Sequence, residues 1–377
     1  MLNNNTDVTK KYENNARYLE YNSNVIPSNP TQEPLSVSLD TIKELNFSIT
    51  DTNTKTISTS ITNAFKCIQC NKARIYYFQN NSLPLRVQPA TSPNVSINYI
   101  EMPDYCWFKH SIANNSSNVF YVIQGAGVTK TEYGNFYWKE GDIIVLPSCK
   151  SLITHESLPQ KHSSSRETYL LWANDGPLLR YLGAQCTSPL FEPIVYEKSS
   201  ILEALKQNDS LSKEQQKEQP KEQQKEQPKE LDNKDKDQEQ SQEPKGNRKG
   251  VLLSSPHMIE EKLNTMTPTL WSLYNTIGPN CVQKPHRHNS VALDYCVFES
   301  SEEGKDQVYT LMGRELNEDG SIKDPQKLIW KKGGVFITPP GWWHSHVNES
   351  ESHAYVFPIQ DAGLHTYMNT LDIRFVY

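Results

Sequence analysis

Four histidines in the last quarter of the chain fall into two tight pairs, His286-Arg287-His288 and His344-Ser345-His346. Residues two apart on a strand point to the same face. Each pair can therefore aim both imidazoles at one point. His344 follows Pro339-Pro340-Gly341-Trp342-Trp343, a rigid turn able to return a later strand towards the first pair. Imidazole is a good ligand for iron, zinc, copper and nickel. A divalent metal centre built from His286, His288 and His344 is the chemistry this spacing points to.

Such a centre needs strands to hold it. Residues 251–377 contain the runs TLWSLYNTI, SVALDYCVF, QVYTLMG, KLIWKKGGVFITPP and HAYVFPIQ, divided by turn formers. Residues 75–200 have the same texture, in ARIYYF, SINYIEM, NVFYVIQG, GNFYWKEGDIIVLP and ETYLLWA. Long helical periodicity is absent from both. A Gly, five residues and a Pro recur at Gly141–Pro147 and Gly333–Pro339 around a β-rich middle. The expected class is all-β: two copies of a jelly-roll barrel.

Between the blocks, KEQQKEQP at 213–220 is repeated at 221–228. From Leu211 to Gly250 there are 10 basic and 10 acidic residues, and Leu211 and Leu231 are the large apolar ones. That composition cannot bury enough surface to offset its ordering entropy. The expected organisation is a polar extension over 1–70, an N-terminal barrel over 71–205, a disordered linker over 206–250 and a metal-binding barrel over 251–377. A net charge of -6 gives no basic field for nucleic acid. No apolar run approaches the roughly 18 residues of a membrane span. The polar N-terminus has no secretory core, and the seven cysteines are irregularly spaced. These features lead to the expectation of a cytoplasmic protein.

The run Gly333-x5-Pro339-x-Gly341-x2-His344-x3-Asn348 is similar to the second cupin motif at every fixed position. PHRHNSVALDYCVF resembles the first cupin motif, with Gly278 two positions further off than usual. Ala292 and Leu293 stand where many cupins place a glutamate ligand. HRH followed by PP-x-x-WH-x-H resembles the bicupin family of gentisate 1,2-dioxygenases. That resemblance implies Fe(II), ahead of manganese or zinc, on His286, His288 and His344. It implies His346 as an acid/base and a homo-oligomer as the assembly. It also implies extradiol-type cleavage of a small hydroxylated aromatic carboxylate by dioxygen. Three imidazoles leave about three positions of an octahedral ion open for such reactants. Ser290, Asp294, Tyr295, Phe336, Trp342, Trp343 and Arg314 are the expected pocket residues.

One departure touches the substrate. The family's T-Q-S-A-L-R-F reads Asn289-Ser290-Val291-Ala292-Leu293-Asp294-Tyr295 here, so Asp294 takes the arginine's place. An aspartate there would repel a carboxylate, unless Arg314 or Arg374 compensates. A metal- or small-ligand-binding bicupin without turnover, and a cupin oxygenase with another substrate, are the competing expectations. The segment around 299–328 is longer than the family pattern and is expected to be an insertion. The first barrel retains His110, while Cys149 and Leu152 fill the second motif's Gly and His positions and His155 follows three residues late. That barrel is expected to be structural. Cys67-Ile-Gln-Cys70 lacks a second ligand pair and is expected to be two ordinary thiols.

Overall fold

Alternation of apolar and polar residues resolves into antiparallel strands wherever the sequence allows one face to be buried. Ile153–Ser157, ITHES, shows it directly: Ile153, His155 and Ser157 point inward and the residues between them are half-exposed. The computed structural model describes residues 33–40, 55–58, 63–70, 72–159, 167–217, 249–297 and 307–376. Met1–Glu33 forms one unit, of which Glu33 alone is described; Pro34–Tyr377 forms the other.

Among the described residues of the larger unit, four sheets make two barrels. The first barrel faces an eight-stranded sheet against a four-stranded one, and the second faces two six-stranded sheets against each other. The boundary expected at residue 70 does not match the pairing. Lys55–Ser58 and Asn63–Cys70 extend the first barrel's large sheet. Leu35–Val37 instead pairs with Val335–Thr338 of the second barrel. The early chain thus contributes to both barrels, which local composition could not reveal. The helix Lys198–Lys217 continues past position 206, where the linker was expected to begin. Ile201 and Leu205 anchor it in the core. The repeat beyond it lies outside the described residues, apart from its first letters.

The barrels share a core. Tyr121 of the first packs on Tyr295 and Phe357 of the second, with ring centroids 4.5 and 5.8 Å apart. Ile143, Val145, Leu293 and Ile359 fill the same cluster. Each such large side chain contributes roughly 1.5–3 kcal/mol on burial. Tyr99 Oη donates to the Gly333 carbonyl at 2.9 Å across the same interface. Gly333 has φ of +73°, and a Cβ there would meet Leu39 at 3.0 Å. The repeated Gly is therefore required by backbone shape and close approach.

Of the stretch expected to be an insertion, the loop part falls at about 314–325, between two strands of the barrel. Val308–Gly313 and Gln326–Ile329 pair with each other, and the former also pairs with Trp343–Asn348. Residues 314–325 form the loop that joins the first two of these strands. Residues 298–306 lie outside the described set.

Candidate metal centre

His286 stands directly opposite His344 in the antiparallel pair of His286–His288 with Trp343–Asn348. That register brings the two histidine pairs together from stretches 58 residues apart in sequence (344 − 286). Ring centroids of His286 and His344 are 3.9 Å apart, and those of His288 and His344 are 4.9 Å apart. His346 lies 5.6 Å from His344 and 6.0 Å from His286. All four are buried. Gly341, at φ +78°, makes the turn that aims His344 inward, and its amide donates to the His288 carbonyl at 2.7 Å.

Hydrogen bonds at Nδ1 set the ring faces. His288 Nδ1 donates to the Ser290 carbonyl at 2.8 Å, and His344 Nδ1 to the Trp342 carbonyl at 3.1 Å. A carbonyl can only accept, so these rings carry their proton on Nδ1 and turn an unprotonated Nε2 inward. A metal requires that tautomer of its imidazole ligands. His346 Nδ1 instead meets the Thr310 hydroxyl at 2.8 Å, which also accepts from Trp330 Nε1 at 2.7 Å. A hydroxyl can donate or accept, so His346 can hold its proton on either nitrogen.

The donor atoms that lie within 4.8 Å of one another are those of His286, His344 and His346. The expected set had His288 in place of His346. Ser290 holds His288 back through both its carbonyl and its hydroxyl, the latter at 3.1 Å. Four imidazoles therefore surround the centre, and His286 and His344 belong to either set.

A cavity of about 370 Å³ opens over them. Among the expected pocket residues, Asp294 lines it, beside Asn275, Trp271, Leu273, Gln360 and Phe375. The others lie elsewhere. Tyr295, the next residue on the strand, faces the opposite way into the inter-barrel core. Ser290 supports His288 and donates to Gln360 Oε1 at 2.8 Å. Phe336 packs on Trp330 and His346 inside the barrel. Trp342 carries Arg314 over its ring at 4.9 Å, and Trp343 carries Arg287 at 5.1 Å. Arg314 is exposed, and so is Arg374, which pairs with Asp372 at 3.0 Å. Neither arginine lines the cavity. Stacking on an indole while the charged head stays in water suits a guanidinium better than burial beside imidazoles.

Sequence reading missed Trp271, Asn275, Gln360, Thr310, Trp330 and Phe375. Phe375, on the last strand, stacks on His286 at 5.8 Å. Trp271–Ile277 had been recognised as a strand run, but which of its faces met the histidines depended on its pairing with Ala354–Gln360. The first barrel has an echo of the centre. His155 Nδ1 meets Thr129 Oγ1 at 2.8 Å, and Trp138 Nε1 donates to that hydroxyl at 2.9 Å. His155 Nε2 lies 3.1 Å from His110 Nε2. His155, expected to fall out of place, thus occupies the position of His346.

Similar solved structures share this architecture from end to end. A salicylate 1,2-dioxygenase from Pseudaminobacter salicylatoxidans superposes with a TM-score of 0.61 at 12% identity, over 98% of this chain and 96% of that one. The fold is a bicupin. An adduct of that enzyme with gentisate gives 0.62 at 12% identity, over 98% and 93% of the two chains. No family model and no curated protein sequence matches the chain. Among the described residues, no helix of the bicupin is long and apolar enough to cross a membrane.

Proposed function

We propose that this bicupin is an Fe(II)-dependent ring-cleaving dioxygenase for a hydroxylated aromatic compound of gentisate-like size. The observation that carries the reading is the convergence of four buried imidazoles beneath a cavity large enough for one aromatic ring. Residues His286, His288 and His344 would hold the ion. The donor set fits: two of these rings have Nδ1–H fixed on backbone carbonyls, so their Nε2 lone pairs are available without loss of a proton. Iron in this place would supply the one-electron chemistry that lets an aromatic ring react with dioxygen. Zinc would bind the same imidazoles but has no redox chemistry to supply.

The chain's own residues do the rest. His346, held through Nδ1 by Thr310, presents Nε2 as the site that takes up or releases the substrate's hydroxyl proton. Trp271, Leu273, Val356 and Phe375 give the cavity apolar walls that exclude water and guide a planar ring. Gln360, fixed by Ser290, offers an amide at the wall.

The test is anaerobic loading with Fe(II), then oxygen uptake over a panel of hydroxylated aromatics that includes gentisate, salicylate, catechol and 2-aminophenol. Substrate-dependent uptake is expected with at least one of them. Uptake with none removes ring cleavage. Metal retention without uptake would favour a ligand-binding bicupin, a reading that the buried Asp294 in the cavity also supports.

A further inference from the structure

The first barrel has lost its metal ligands but kept its mouth. Aligned on Gly141–Pro147 and Gly333–Pro339, Val145 matches Ile337, so their strand partners Val119 and Leu293 match too. One residue on, Phe120 of the first barrel's core stands where the second barrel has Asp294. Trp172 lies opposite Phe120 as Pro358 lies opposite Asp294, and Asn174 matches Gln360. Ser96 pairs with Asn174 as Trp271 pairs with Gln360. Asn98, paired with Tyr77, matches Leu273, paired with Leu252. All of these positions except that of Phe120 and Asp294 line a cavity in both barrels, of about 360 Å³ in the first and about 370 Å³ in the second.

The wall has changed its chemistry. Tyr77, Ser96 and Asn98 replace Leu252, Trp271 and Leu273, so an apolar face has become a hydrogen-bonding one. A barrel that served only as core would gain nothing from polar groups buried beside an open volume. No Asp or Glu lines this cavity, and Arg180 does. Arg180 donates from Nε to the Val87 carbonyl at 3.0 Å and from Nη2 to the Pro89 carbonyl at 2.6 Å. These bonds fix the guanidinium plane and leave Nη1 without a hydrogen bond among the described residues, and Nη1 is not sealed from solvent. Its neighbours are neutral: Asn115 Oδ1 and Asn174 Oδ1 crowd the same corner around Gly176. Asp175, the acid whose charge reaches Arg180, forms no ion pair with it and is already satisfied by Ser116, the Ser117 amide and Thr269. Burial draws the Arg180 pKa below its ordinary value, so its charge has lost water that an anion can replace. Burial also pushes the Tyr77 hydroxyl, which feels the Arg180 charge, up to about 12, so it stays an O–H donor.

We propose that the mouth of the first barrel is a metal-free binding site for a small organic carboxylate, held by Arg180 Nη1 and the Tyr77 hydroxyl between the amides of the wall. One guanidinium with no second cation in the lining matches a single negative charge. The site stands apart from the histidines and does not rest on the ring-cleavage reading. The matched probes are benzoate and benzamide, alike in shape and different in charge. Binding is measured on the full chain by calorimetry under argon, with and without Fe(II). The wild type is expected to bind benzoate at least about tenfold more tightly than benzamide, with the same affinity whether or not Fe(II) is present. Arg180→Gln should bring benzoate down to the level of benzamide, and Tyr77→Phe, which removes one oxygen, should weaken benzoate severalfold. Melting curves report whether each variant folds; if Arg180→Gln does not, Tyr77→Phe decides alone. Absence of benzoate binding, equal affinities for the two probes, an affinity that changes with Fe(II), or full-strength binding in Tyr77→Phe or in folded Arg180→Gln overturns the proposal.

Discussion

Two barrels of one chain have kept the same supporting contacts and parted over two side chains. In the second, Trp330, Thr310 and His346 form a hydrogen-bonded row; in the first, Trp138, Thr129 and His155 form its counterpart. His110 pairs with Ile153 as His286 pairs with His344. The position of His344 is held by Ile153, one residue beyond the Leu152 expected there, and that of His288 by Ile112, two residues beyond His110; both isoleucines are fully buried. Trp172 then packs against His110 at 4.6 Å, where the second barrel keeps its cavity. The row of Trp, Thr and His therefore belongs to the barrel, whether or not it works. What separates a centre from a core is the pair of imidazoles whose tautomer is fixed by backbone carbonyls. In the proposed function that contrast favours His288 and His344 as ligands, whereas the donor atoms within 4.8 Å of one another are those of His286, His344 and His346.

The strongest way to break this contrast is His344→Ile, which copies the first barrel into the second. We expect metal retained after dialysis to fall by at least about tenfold, read by elemental analysis. Stoichiometric metal in that variant would contradict the ligand set. A second test uses acid. Burial holds His110 down to about 3 and His155 well below its ordinary value, with His110 beside it adding to the effect. Above pH 6.5 both are neutral whether the chain is folded or not. Below it, the unfolded chain takes up protons that the folded barrel refuses, so stability falls as pH drops towards 3. The slope is about 1.4 kcal/mol per unit for each histidine. Melting temperatures between pH 7 and 5 should decline less in a His110→Leu/His155→Leu variant than in the wild type.

Matched substitutions sharpen the comparison further. Thr129→Val and Thr310→Val each leave a buried indole N–H without its acceptor, at a cost of about 1–3 kcal/mol in denaturant unfolding. Only Thr310→Val should also shift the pH profile of oxygen uptake, because only His346 faces the cavity. The smallest effect is expected from Arg314→Ala. Loss of its exposed stacking on Trp342 should cost about 0.5–1 kcal/mol and leave aromatic-ligand affinity unchanged; a large affinity change would return Arg314 to the site.

Much was fixed locally and could be read without coordinates. Period-two alternation, the Gly-x5-Pro repeat and the two H-x-H pairs each depend on neighbours a few residues away, so the all-β class, two barrels and a histidine centre followed from the chain itself. Register and sheet membership did not. Asp294 and Tyr295 are adjacent and look equally suited to a pocket, yet the pleat sends one into the cavity and the other into the shared core. Leu35–Val37 finds its partner some 300 residues away. Asn275 gains its place over the centre only because its strand pairs with Ala354–Gln360. Local sequence sets which residues a strand offers, but long-range pairing decides which face meets the metal, because a slip of one residue turns every side chain over.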